Sequence, residues 1–99
     1  MFARVHTLEA TPEQQREGLR VLQDEVLPWL RESTGFRGIV RLTDPERDRT
    51  ITLTLWATED DLRESADAAA RIGELTASGI GATLLSTEEY EVTLLELER

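Results

Sequence analysis

The segment Ile51–Ala57 is the feature that most restricts how this chain can fold. Its side chains alternate strictly with a period of two, a pattern that is typical of a β-strand. One face of the strand carries Ile51, Leu53 and Leu55. The other face carries Thr52, Thr54 and Trp56. Because large apolar groups lie on both faces, the strand is expected in a sheet that needs cover on both sides.

Three other segments have strand-like patterns, in the order Met1–Leu8, Phe36–Thr43 and Tyr90–Leu97. The turn residues Thr43–Asp48 separate the second of these segments from Ile51–Ala57, so those two strands are expected to follow each other directly. The sequence therefore predicts strands at both ends of the chain and a consecutive pair in the middle.

A helix is predicted to begin at Thr11, where Gln14 completes a capping box and Pro12 occupies the first helical position. Apolar residues then recur at helical spacing, namely Leu19, Leu22, Val26 and Leu30. Pro28 is predicted to bend this helix or to end its regular part, because proline lacks the N–H that the helix interior needs. Gly35 is predicted to stop it.

A second helix is predicted to begin at Thr58, which precedes three carboxylates that favour the positive end of a helix. Its buried stripe is expected to consist of Leu62, Ala66, Ala69, Ile72 and Leu75. The small residues Ala66, Ala69 and Ala70 would allow this helix to approach the sheet closely.

The order β-α-β-β-α-β predicts an α+β, ferredoxin-like fold with one antiparallel sheet, as a single domain of residues 1–99. Right-handed crossovers place both helices on one face of the sheet and leave the other face bare. Trp56 and several leucines are expected to make this bare face a sizeable apolar patch. We therefore expect a homodimer in which two sheets pack face to face.

The composition excludes several functions. Twenty acidic residues against eleven arginines give a net charge of -9, which argues against nucleic acid as a partner. The chain contains no Cys and no Lys and has one His, so zinc–thiolate sites, Schiff bases and paired-histidine metal sites are not expected. The sequence has neither a membrane-length apolar run nor a signal peptide pattern, which predicts no membrane partner and a cytoplasmic location.

Four residues are candidates for a functional site. His6 is the side chain that titrates near neutral pH, so it is a candidate general base, or else a structural strand histidine. Trp29 and Trp56 are candidates for the wall of an apolar pocket, or else core residues. Arg41, which is predicted to share a strand face with Arg37, is a candidate for binding an anionic ligand, or else for pairing with the abundant carboxylates.

Several phrases of the sequence resemble those of the antibiotic biosynthesis monooxygenase family. They are Val26–Pro28, Gly35–Gly38, Thr52–Leu62 and Tyr90–Val92. The resemblance covers nearly the full chain and implies a dimeric α+β barrel with a hydrophobic pocket in each subunit. It also implies oxidation of aromatic polyketides such as anthrones by molecular oxygen, with no metal, flavin or other cofactor. A bound phenolate or carbanion then supplies the electrons, and the protein binds, deprotonates and desolvates it.

The chain departs from this family in two respects. Several members rely on an Asn, and this chain has none. The haem-degrading branch relies on a Trp and a His in the second helix, and residues 65–75 contain neither. His6 lies about where that branch places a first-strand Asn. The resemblance thus implies a monooxygenase-like protein acting on an aromatic or apolar small molecule, and the alternatives are a non-catalytic binding or regulatory dimer and an isomerase or cyclase.

Overall fold

The computed structural model describes residues 1–69 and 79–98, in which four strands form one antiparallel sheet with helices on one face. The strands are β1 (Phe2–Glu9), β2 (Phe36–Asp44), β3 (Arg49–Trp56) and β4 (Thr83–Glu91). They lie in the order β2-β3-β1-β4. The helices are α1 (Pro12–Val21), a π-helical turn (Leu22–Val26), α2 (Leu27–Glu32) and α3 (Glu59–Glu64). The predicted ferredoxin-like α+β fold is confirmed.

Local sequence signals position the helices. The Thr11 hydroxyl accepts a hydrogen bond from the Gln14 amide at 3.2 Å, and the Gln14 side chain accepts one from the Thr11 amide at 2.9 Å. The helix that starts there passes through the π-helical turn and continues as α2, which has Pro28 in its first turn. The predicted capping box is confirmed, and the first regular helix ends before Pro28, at the π-helical turn.

The second predicted helix also begins where its cap indicates. The Thr58 hydroxyl accepts a hydrogen bond from the Asp61 amide at 3.1 Å. Leu62 is 2% exposed, as its predicted place in the buried stripe requires. Two further stripe positions, Ile72 and Leu75, lie outside the described residues, as does the small residue Ala70.

The prediction for the last strand was wrong in its position. β4 runs over Thr83–Glu91 rather than Tyr90–Leu97. Its last residue, Glu91, lies opposite Phe2 at the start of β1, and the Val92 amide donates to the Met1 carbonyl at 2.9 Å. Residues 93–98 run past the end of β1, so they have no neighbouring strand in the described structure and do not extend the sheet.

The face of the sheet on which Trp56 lies was also predicted wrongly. Trp56 pairs with both Phe2 and Phe36 in the sheet and lies on the helix-covered face, where it is fully buried with Leu30 and Leu62. A two-residue period separates the faces of a strand but does not say which one the helices cover. The threonine-containing face of β3 is therefore the inner one.

The opposite face of the sheet is apolar, and no helix within residues 1–69 and 79–98 covers it. It carries side chains from three strands, namely Val5, Val40, Leu42, Ile51, Leu53 and Leu55. Val40 is 44% exposed and Leu42 is 52% exposed. This surface is called the open sheet face below.

Candidate functional site

An apolar cavity of about 100 Å³ lies between the inner face of the sheet and the helices. It brings together three residues that were predicted from the sequence, namely His6, Trp29 and Trp56. Aliphatic side chains from the strands and from the turn between α1 and α2 make up most of the remaining wall. Its polar groups among the described residues are His6, Thr52 and Thr54. We call this space the central cavity.

His6 is the titratable group of the described cavity wall. Its ring is partly buried and makes no hydrogen bond to any described residue. Burial lowers its pKa, and the nearby positive charge of Arg4 lowers that pKa further. Both causes act against the imidazolium form. His6 is therefore neutral at pH 7, with a lone pair available to accept a proton or a hydrogen bond.

Arg4, which the sequence analysis missed, is the origin of that charge. Its side chain is 2% exposed and donates hydrogen bonds to the Leu62 carbonyl at 2.6 Å and to the Ser65 hydroxyl at 3.0 Å. It also forms an ion pair with the half-exposed Glu89 at 3.4 Å. The alternation of Arg4 with His6 along β1 was the available signal, because residues two apart share one face of a strand.

The two tryptophans reach the cavity from different elements. Trp56 is fully buried, donates a hydrogen bond from Nε1 to the Thr54 hydroxyl at 3.1 Å, and stacks edge-on with Phe36 at a centroid distance of 5.7 Å. Trp29 lies next to Pro28 in the first turn of α2, so the break in the long helix sets its direction. Trp56 is consequently both a core residue and a wall of the cavity.

Arg41 lines a second cavity of about 70 Å³ rather than the central cavity. Its guanidinium donates a hydrogen bond to the Gln15 carbonyl at 2.8 Å, and burial lowers its pKa. Arg37 does not line this cavity. A register shift between Phe36 and Gly38 breaks the alternation there and leaves Arg37 exposed. We call the second space the Arg41 cavity.

The described residues limit two other kinds of site. They contain no group of three or more His, Asp or Glu side chains arranged to hold a metal ion. None of the helices within residues 1–69 and 79–98 combines the length and the apolar character that crossing a bilayer requires. The cytoplasmic location stays a prediction.

The fold is that of the antibiotic biosynthesis monooxygenases, so the resemblance noted in the sequence is confirmed at the level of the fold. The chain is similar to the monooxygenase ActVA-Orf6 of Streptomyces coelicolor, solved with nanaomycin D (TM-score 0.72, 18% identity, 99% of this chain and 92% of that one). It is also similar to SnoaB, a cofactor-independent oxygenase of Streptomyces nogalater (TM-score 0.69, 17% identity, 98% of this chain and 97% of that one). A third similar structure is the haem degrader MhuD of Mycobacterium tuberculosis, with two haems in its active site (TM-score 0.70, 18% identity, 97% of this chain and 99% of that one).

Fewer known proteins are similar to this chain in sequence than in fold. Two uncharacterised Mycobacterium tuberculosis proteins, MT2635 of strain CDC 1551 and Rv2558 of strain H37Rv, are each 30% identical to this chain over 95 residues. The match covers 96% of this chain, and the chain spans 40% of the length of those relatives. No model of a known protein family matches the sequence.

Proposed function

We propose that residues 1–99 form one domain that acts as a cofactor-independent monooxygenase on an aromatic or apolar small molecule. The observation that supports this proposal is the meeting of His6, Trp29 and Trp56 in one apolar cavity. Similar folds include a monooxygenase solved with nanaomycin D and a cofactor-independent oxygenase. The haem-degrading alternative is not favoured, because residues 65–75 contain no His and no Trp.

His6 has the properties of a general base. Its neutral imidazole takes a proton from an acidic C–H or O–H of the ligand, and the ligand keeps the electron pair. The apolar wall disfavours the resulting anion, which makes it a stronger electron donor toward molecular oxygen. For a methylene group oxidised to a carbonyl, one oxygen atom of O₂ enters the product and the other leaves as water. Trp29 and Trp56 hold the ring of the ligand against the sheet.

A non-catalytic ligand-binding or regulatory protein is the second candidate function. It is favoured by the isolation of His6, which no described residue orients through a hydrogen bond. General bases in enzymes are usually held in one orientation by a third group. In such a protein the same cavity would bind an apolar molecule and release it unchanged.

Oxygen uptake distinguishes these two functions. The protein is incubated with a panel of anthrones and quinols, and oxygen consumption and products are compared with those of His6→Gln. The matched control is Thr7→Ala, which changes the next residue of β1 on the opposite face of the sheet. Monooxygenation predicts uptake that His6→Gln loses and Thr7→Ala keeps. Ligands that raise the melting temperature but are recovered unchanged would instead support the binding protein.

We also propose that the protein is a homodimer that buries the open sheet face. Val40 and Leu42 are large apolar residues about half exposed on this face. Leu94, Leu95 and Leu97, in the segment after β4, are exposed as well. A similar solved structure is described as a dimeric ferredoxin-like protein. Isologous pairing of the same face in two copies would cover these groups.

Light scattering at micromolar concentration tests the dimer. The unmodified protein is expected to have twice the mass of the chain, and Leu42→Arg is expected to shift it to the monomer. The control is Leu19→Arg, which places the same charge on α1 at a leucine that is 41% exposed. A monomeric unmodified protein would refute the dimer, as would equal dissociation by both substitutions.

A further inference from the structure

We propose that the Arg41 cavity is a carboxylate subsite, so that the ligand is an apolar ring bearing one carboxylate group. The ring occupies the central cavity, and the carboxylate lies between the Arg41 guanidinium and the Thr50 hydroxyl. This inference rests on the proposed function, because it assumes that the central cavity binds an apolar ring. It adds the charge of the ligand and the place where that charge is recognised.

Arg41 is an arginine with unused donors in a very acidic chain. Its described hydrogen-bond partner is the neutral Gln15 carbonyl, and it forms no ion pair with any described residue. A guanidinium carries five N–H donors and binds carboxylates in a two-pronged geometry. Its partial burial makes the charge costly, and a bound anion would offset that cost.

Thr50 provides an independent indication of a ligand. Its side chain is 4% exposed, lines the Arg41 cavity, and its hydroxyl oxygen has no hydrogen-bond partner among the described residues. A buried hydroxyl that makes no hydrogen bond destabilises the folded protein. One carboxylate oxygen in this cavity would accept a hydrogen bond from the Thr50 hydroxyl, and the other would accept hydrogen bonds from Arg41.

A glycine in α1 leaves space for the Arg41 guanidinium beside this cavity. Gly18 lies inside α1, where glycine is less favourable than alanine. A Cβ at this position would lie 3.2 Å from the Arg41 Nη2 atom and 3.2 Å from the Ile80 Cδ1 atom. The absence of a side chain at Gly18 thus leaves the room that the guanidinium occupies against α1.

The sheet register links the two cavities. Thr52 pairs with His6 on one side and with Arg41 on the other, so the three residues form one row across the inner face. Two strand spacings separate His6 from Arg41, which is roughly 10 Å. Leu8, Leu22 and Thr52 line both cavities. A ligand whose ring lies beside His6 therefore needs only a short chain between its ring and its carboxylate for the carboxylate to contact Arg41.

Binding of 3-phenylpropanoate and of its uncharged methyl ester tests this inference. Both affinities are measured at pH 7 by calorimetry and by tryptophan fluorescence, for the unmodified protein and for Arg41→Gln, Thr50→Val and Arg37→Gln. Arg37→Gln is the matched control, because it removes an exposed arginine from the same strand. Circular dichroism confirms that each variant is folded.

The acid is expected to bind at least about tenfold more tightly than the ester, the factor that one charge-assisted hydrogen bond supplies. Arg41→Gln is expected to remove this preference and leave ester binding unchanged, Thr50→Val to reduce the preference, and Arg37→Gln to retain it. Equal binding of acid and ester would overturn the carboxylate subsite and leave the proposed function standing. Binding of neither compound would overturn both.

Discussion

Replacing Trp56 by phenylalanine tests how the wall of the central cavity is held together. The indole is fully buried, and a phenyl ring keeps its contact with Phe36 but loses two ring carbons and the Nε1–H. Two buried carbons are worth about 1.6 kcal/mol, and the lost hydrogen bond to Thr54 is worth about 1 kcal/mol. We expect Trp56→Phe to lower the free energy of unfolding by about 2 to 3 kcal/mol.

The hydrogen-bond part of this loss can be isolated with Thr54→Val. That substitution removes the acceptor and leaves the buried indole N–H of Trp56 without its partner, at a cost of about 1 to 3 kcal/mol. In the double variant neither group is present, so its loss is smaller than the sum of the two single losses. We expect a coupling free energy of about 1 to 2 kcal/mol between the two positions.

Urea unfolding followed by circular dichroism measures all four proteins at one protein concentration, because association would otherwise shift the midpoints. Additive losses, with a coupling below about 0.3 kcal/mol, would refute the reasoning. In that case the hydrogen bond from Trp56 to Thr54 would not contribute to stability, and the Thr54 hydroxyl would be available to bind a ligand in the central cavity.

Three further results are expected. Burial and the neighbouring Arg4 lower the pKa of His6 in the folded protein below the unfolded value of about 6.5. The free energy of unfolding therefore falls as the pH drops from the unfolded pKa to the folded pKa. Urea titrations at several pH values should show that His6→Gln flattens this part of the dependence of stability on pH. Gly35 has φ +79° and a Cβ there would lie 2.1 Å from Asp61 Oδ2, so Gly35→Ala should cost at least roughly 1 to 2 kcal/mol in the free energy of unfolding. Asp61→Ala should recover only part of this loss, because the Cβ that alanine keeps would still lie 2.6 Å from the new Cβ at position 35. Gly18→Ala should gain less stability in the unmodified protein than in Arg41→Gln, and an equal gain in both would show that the guanidinium does not use this space.

The sequence was sufficient where local chemistry decides the structure. The capping box at Thr11, the cap at Thr58 and the proline at residue 28 are short-range signals, and each has its predicted effect on a helix. The period of two in Ile51–Ala57 likewise predicted a strand within a residue or two of its observed bounds. The β-α-β-β-α-β order that these elements define was enough to predict the ferredoxin-like fold.

The candidate site was predictable only in part. Residue type was enough to choose His6, Trp29 and Trp56, because the chain contains one histidine and two tryptophans. Arg4 could not be chosen in that way, because residue type does not distinguish one arginine among eleven, and its position two residues before His6 was the signal of a shared strand face. Thr50 was missed for a similar reason, since an unpartnered hydroxyl is a property of its surroundings rather than of its neighbours in sequence.

The sequence by itself determined the helix caps, the order of the elements and the alternation within β3, because these depend on interactions between residues a few positions apart. The tertiary structure alone decided which face of β3 is covered, where β4 ends and which side chains stand in one row. A strand has two equivalent faces until helices pack on one of them, and its partners across the sheet are fixed by the pairing register. His6, Thr52 and Arg41 are therefore neighbours through pairing between strands that are distant in the sequence.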